Sequence, residues 1–179
     1  MKIIVFLFIG AFLFASSVEL HAQTGEITYI LFRHAEKDAS PTANRADVDL
    51  SDAGRQRAAR LVDVLRPYRP EQIFATIFRR ARLTVTPLAE TLKPGYRLMI
   101  QTYDHTGIEE FAARLLKLNA RTVVVSGHNT TTPELANFLI KQQKYKALDE
   151  TEFDKIFIIR IKRSRGKPDK VLEDRVITY

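Results

Sequence analysis

Apolar and β-branched residues gather in short runs at positions 27–32, 73–74, 122–125 and 156–161, with a weaker run at 171–177. Their length and composition predict strands. Between them the apolar positions change to a period of 3.6, through Ala58, Leu61, Val62 and Leu65, and again through Ile108, Phe111, Ala112, Leu115 and Leu116, which predicts two helices. A third helix starts near Arg80 and passes Val85, Leu88 and Leu92, with Pro87 expected to weaken or bend it. A fourth has Pro133 in its first turn and carries Leu135, Phe138 and Leu139, with Thr131 or Thr132 as its cap. Strands alternating with helices predict an α/β domain: a three-layer α/β/α sandwich around a largely parallel central sheet. The polar stretch 37–49, with Pro41, Asn44 and Asp47, reads as a loop, and Gly166, Pro168 and Asp169 as a turn between the last two strands.

The first residues follow a different pattern. Met1 and Lys2 precede an unbroken apolar run at 3–14 and a small-residue stretch ending near Ala22, the order found in a secretory signal peptide. The run is too short for the roughly 20 residues of a membrane-spanning helix. The expectation is therefore a leader at 1–22 and one domain at 23–179, exported to the periplasm or secreted, with no stable membrane insertion after cleavage. The chain has no cysteine, which excludes a disulfide framework, a thiolate zinc site and a lipoprotein anchor. Its formal charge of +7 suits an anionic substrate, and equally nucleic acid or an acidic envelope. The basic stretch Arg160, Lys162, Arg163, Arg165, Lys167 and Lys170 lacks interleaved aromatics, so it reads as a solvated hairpin and no nucleic-acid partner is expected.

In an open α/β sheet, ligands bind beyond the carboxyl ends of the strands. The first strand runs straight into Arg33 and His34, the second leads to Thr76 and then Arg79, Arg80 and Arg82, and the strand at 122–125 leads to Ser126, Gly127 and His128. Singly, each has an ordinary explanation as a loop histidine or a solvated arginine. Together they form what phosphoryl transfer requires: planar bidentate donors for a group whose transition state spreads charge over three oxygens, and a neutral imidazole able to attack it. Cationic neighbours favour that neutral form. A metal site made of His34, His105 and His128 is the rival, disfavoured because adjacent arginines repel a divalent cation and no paired carboxylates lie nearby. No cofactor or metal is therefore expected.

The same residues resemble the histidine phosphatase superfamily, with its phosphoglycerate-mutase-like fold. Arg33-His34-Ala35-Glu36-Lys37 resembles the family's Arg-His-Gly-Glu signature in its small RHAEK form. LSDAGRQRAARL, IFATIFRRARLTVTPLAE and VVVSGHNTTTPELANFL resemble the three segments that follow it, in family order. The resemblance implies His34 as nucleophile, with Arg33, Arg80 and His128 holding the phosphoryl group; Asn129, next to His128, is a further candidate for substrate binding. Ala35 stands where the family usually has Gly, and Gly127-His128-Asn129 where it more often has Ser-His-Gly. The family's proton donor has no clean counterpart. Asp104, in TYDHTGIEE, takes that place, ahead of His105 and Glu109, with a helix cap as its structural alternative.

The resemblance by itself does not separate phosphatases from mutases, which share this pocket; the expected reaction is hydrolysis of small phosphate monoesters. A mutase must exclude water from its phosphoenzyme, and only the 37–49 loop is available as a lid. Export also separates the chain from cytoplasmic phosphohistidine proteins. A mutase-like phosphotransferase, a phosphohistidine phosphatase and a non-catalytic phosphate- or polyanion-binding protein remain the alternatives. The sequence leaves the oligomeric state open.

Overall fold

The computed structural model describes residues 24–179, apart from positions 41, 43, 45, 93, 94 and 96; the expected leader at 1–22 lies outside the described residues. In chain order the elements are β1 (Gly25–Arg33), α1 (Asp52–Leu65), a 3-10 turn (Arg66–Tyr68), β2 (Gln72–Ala75), α2 (Arg79–Thr91), β3 (Ile100–Thr102), α3 (Ile108–Leu115), β4 (Thr122–Gly127), α4 (Thr131–Ile140), β5 (Lys155–Ser164) and β6 (Lys167–Thr178). They build a six-stranded sheet ordered β3-β2-β4-β1-β5-β6. The strands from β3 to β1 run parallel, and β5 and β6 add an antiparallel hairpin beyond β1.

Strand β1 is central, and Ile27, Tyr29, Ile30, Leu31 and Phe32 are all fully buried. Burial on both faces explains its continuous apolar run, because a strand covered from both sides has no polar face to alternate with. On one side Ile30, Phe32, Ile73, Val124 and Ile158 pack with Leu61 and Leu65 of α1 and Val85 and Leu88 of α2. On the other, Tyr29, Leu31, Phe74, Val125 and Phe157 pack with Phe111 and Leu115 of α3 and Leu135 and Leu139 of α4. The fold is the expected three-layer α/β/α sandwich.

Several local expectations change. Strand β3, of sequence Ile-Gln-Thr, was not expected, since three residues with two polar side chains carry no readable period. Helix α2 continues to Thr91 with Pro87 inside it. Its face of Ala81, Val85, Leu88 and Ala89 is buried against the sheet, and packing outweighs the lost backbone hydrogen bond. Thr131 and Thr132 are the first residues of α4 rather than its cap; the cap is Thr130, which makes no side-chain capping bond. The turn between β5 and β6 is tighter than predicted. Gly166, at φ 69°, supplies the left-handed turn conformation, while Pro168 and Asp169 already belong to β6, an edge strand where a missing N–H is tolerated.

Candidate active site at the strand ends

Register sets the site. Arg33 pairs with Gly127 across β1 and β4, and Ala75 pairs with Ser126 across β2 and β4, so the three parallel strands end side by side. The residues that follow, His34, Thr76 and His128, are thereby brought to one edge. His34 is tied down by its N–H, which donates to the Gly127 carbonyl at 2.9 Å. The imidazoles of His34 and His128 lie edge to face with centroids 5.4 Å apart. A cleft of about 240 Å³ opens over them, lined by Arg33, Lys37, Phe78, Arg80, His105, Asn129, Thr130, Thr131 and Glu150 besides the two histidines.

The tautomer of His34 follows from its contacts. Nδ1 lies 2.8 Å from the Ala35 carbonyl, an oxygen that can only accept, so Nδ1 carries the proton. Nε2 then keeps its lone pair and accepts from Nε of Arg80 at 3.1 Å. Burial, followed by the charges of Arg80, His128 and Arg33, pushes the His34 pKa down to about 3. Burial first, and then Arg80, His105 and Arg33, lower His128 to about 4. Both rings are therefore neutral at pH 7, because protonation would add a charge to a dry, already cationic wall.

The frame behind these rings comes from neighbouring elements. Thr84, fully buried on α2, accepts from the Ala35 N–H at 2.9 Å and donates to the Arg80 carbonyl at 2.7 Å. It thus fixes the arginine's turn of helix against the His34 loop. Glu36 pairs through both oxygens with Arg57 on α1, and its carbonyl accepts from the Ser51 N–H at 2.9 Å. A Cβ on Gly54 would stand 2.2 Å from that same carbonyl, so only glycine lets α1 approach this closely. Thr76 bonds to Nε2 of His128 at 3.2 Å, and Thr131 accepts from the His128 N–H at 3.1 Å.

Arg33 is only 2% exposed, and it faces the segment joining α4 to β5. Its Nη1 donates to the carbonyls of Asp149 and Glu150 at 2.9 and 3.0 Å, its Nη2 reaches the Glu150 carboxylate at 3.0 Å, and its guanidinium stacks 4.1 Å above the Phe153 ring. Arg80 lies 4.4 Å above the ring of Phe78. The sequence-selected His34, Arg33, Arg80, His128 and Asn129 thus line one cleft. Asp104 is not among its lining residues. Its carboxylate accepts from the N–H and hydroxyl of Thr106 at 2.9 and 2.8 Å, its side chain is 74% exposed, and it does not cap α3, whose cap is Gly107. Glu109, in the first turn of α3, is likewise not in the lining. His105 is in it, with its ring 5.6 Å from that of His128. Among the described residues no three His, Cys, Asp or Glu side chains gather closely enough to hold a metal ion.

Sequence reasoning missed Glu150 and Phe153. They sit in an aperiodic segment, where the only signal was a group of acidic residues, Asp149, Glu150, Glu152 and Asp154, in a basic chain.

Comparison with known proteins agrees with this geometry. Residues 29–111 match the model of the histidine phosphatase superfamily (branch 1). No curated protein matches the chain at a significant level. Among solved structures, a candidate alpha-ribazole-5'-P phosphatase from Escherichia coli superposes with a TM-score of 0.63 at 16% identity, over 86% of this chain and 96% of that one. A candidate phosphohistidine phosphatase, SixA of Nakamurella multipartitia, gives 0.58 at 17% identity, over 84% and 96%. A phosphoserine phosphatase of Entamoeba histolytica, in a variant complexed with phosphoserine, gives 0.53 at 14%, over 83% and 96%. At these identities the likeness is one of fold. The matched segment carries the Arg33-His34 signature, so over residues 29–111 the chain is similar to the histidine phosphatase superfamily (branch 1), and its fold is shared along nearly the whole of those solved structures.

Proposed function

We propose that this protein is a phosphoric monoester hydrolase that acts on small phosphate monoesters through a phosphohistidine on His34 and passes the group to water. The observation that supports this reading most is the His34 ring itself: neutral, with Nδ1–H fixed on the Ala35 carbonyl and the Nε2 lone pair facing the cleft arginine Arg80. In the first step Nε2 attacks phosphorus and the P–O bond to the alcohol breaks. Arg80 turns from Nε2 to the phosphoryl oxygens, joined by Arg33, His128 and Asn129, and these donors take up the charge that develops there. In the second step water attacks phosphorus, the P–N bond breaks and His34 is regenerated.

The departing alkoxide needs a proton. His105 is an ionisable side chain of the cleft lining that is also 36% exposed, so it can reload from solvent. We assign it the donor role expected of Asp104. Asp104 lies 3.8 Å from Nδ1 of His105 and orients the ring.

The mature protein should hydrolyse an activated aryl phosphate, and His34→Ala should reduce that rate by about 10,000-fold or more. An unchanged rate in His34→Ala would remove the histidine mechanism. Export remains part of the reading, on the strength of the apolar run at 3–14. The amino terminus of the mature product should lie at or near Gln23, and recovery of a membrane-bound product beginning at Met1 would contradict cleavage.

A further inference from the structure

The Glu150 carboxylate holds two of the groups that are assigned to phosphate. One oxygen accepts from Arg33 Nη2 at 3.0 Å and the other from Asn129 Nδ2 at 3.0 Å, the divided grip that two phosphoryl oxygens would receive. Among the described residues it is the one carboxylate in the cleft lining, against the cations Arg33, Lys37 and Arg80. The backbone that carries it is fastened separately. Arg33 Nη1 holds the carbonyls of Asp149 and Glu150, the Leu148 N–H donates to the Asn129 carbonyl at 2.9 Å, and the Glu152 N–H donates to the Asp149 carbonyl at 3.0 Å. The Glu150 side chain itself is 74% exposed. It can therefore swing into solvent while the segment and the Arg33 guanidinium stay in place. Arg33 Nε, moreover, is buried with no acceptor, so the carboxylate leaves the cradle's donors incompletely used.

We propose that Glu150 is an internal competitor: its carboxylate fills the anion cradle of the substrate-free protein, and a phosphate must displace it to bind. This rests on the reading of the cleft as a phosphate site. Displacement has a specific signature. A ligand that binds only the open cradle has its affinity reduced by the fraction of molecules in which the cradle is open. That factor is the same for every anion, whatever its charge. A stationary carboxylate that merely repelled ligands would instead oppose a dianion more than a monoanion.

The test is calorimetric titration of the mature protein with inorganic phosphate and with dimethyl phosphate at pH 8, on the wild type, Glu150→Gln and Glu150→Ala. Both variants should bind both ligands about fivefold more tightly, the scale of a half-exposed ion pair. Melting temperatures alongside should match the wild type within a few degrees, because the backbone anchors remain. Steady-state KM should fall by the same factor with kcat unchanged. Phosphate affinity equal to or weaker than the wild type's in the variants would overturn the proposal and leave the cradle standing, as would a gain for phosphate that clearly exceeds that for dimethyl phosphate. Failure of inorganic phosphate to bind any of the three proteins would overturn both the proposal and the reading beneath it.

Discussion

The two walls of the cleft are built in different ways. One consists of the ends of β1, β2 and β4, where ladder register places His34, Thr76 and His128 side by side and α2 adds Arg80. The other consists of segments without regular structure: residues 103–107, carrying His105, and residues 141–154, carrying Glu150 and Phe153. The first wall is dry and interlocked, with His34 and His128 nearly buried and Thr84 tying the Ala35 N–H to the Arg80 carbonyl. The second is wet, with half-exposed or exposed ionisable groups. A dry wall suits charge stabilisation, because fixed donors act most strongly where water is excluded. A wet wall suits proton exchange and exchange of ligands.

This division of labour can be broken at its most consequential point, the proton. His105→Asn should slow hydrolysis of alkyl phosphates about 1,000-fold while sparing aryl phosphates, whose leaving groups hardly need an acid. Equal slowing of both substrates would mean that the wet wall does not supply the proton. The comparison is measured as kcat on an alkyl and an aryl ester, with melting temperature as a control for damage to the fold.

Dryness of the first wall has a consequence for stability. The folded pKa of His34 is about 3, against 6.5 for the ordinary side chain. Above pH 6.5 neither the folded nor the unfolded state binds the proton, and His34 contributes no pH dependence. As pH falls from 6.5 towards 3, the unfolded chain takes up a proton that the fold refuses, and stability drops. At pH 4 the loss from His34 alone is about 3 kcal/mol, with a smaller loss from His128, whose folded pKa is about 4. Urea midpoints measured from pH 7 to pH 4 should fall less steeply in His34→Gln than in the wild type. Parallel curves would show that the ring is not held neutral by burial.

The dry wall was legible in the sequence and the wet wall was not, for a physical reason. Burial on both faces demanded continuous apolar runs for β1 and β4, and the catalytic residue types stand immediately after those runs, so the motif and its position reinforced each other. Gly54 stands within the LSDAGRQRAARL segment, but the reason for a glycine there, its close approach to the Glu36 carbonyl, is seen only in the structure. Residues 103–107 and 141–154 answer to no period. Asp104 was chosen by its place in the chain, yet its carboxylate is satisfied locally by Thr106, and the neighbouring His105 turns to the cleft. Glu150 is placed by its grip on Arg33 and Asn129, a contact between positions far apart in sequence.

The smallest expected effect refines the assignment within the wet wall. Asp104→Asn should slow alkyl ester hydrolysis only about threefold, because the exposed carboxylate orients His105 through a partly screened contact, and rates on aryl esters should not change. A loss as large as that of His105→Asn would return the donor role to Asp104. The readout is the alkyl-to-aryl kcat ratio of the two variants side by side.

The central claim is that the dry wall turns His34 into the group that carries phosphate. Rapid denaturation of the protein during turnover of a 32P-labelled ester, followed by peptide mapping, tests it directly. The account predicts a base-stable, acid-labile phosphate on His34 and none in His34→Ala; label on another residue, or sustained turnover with no phosphoenzyme ever trapped, would contradict it.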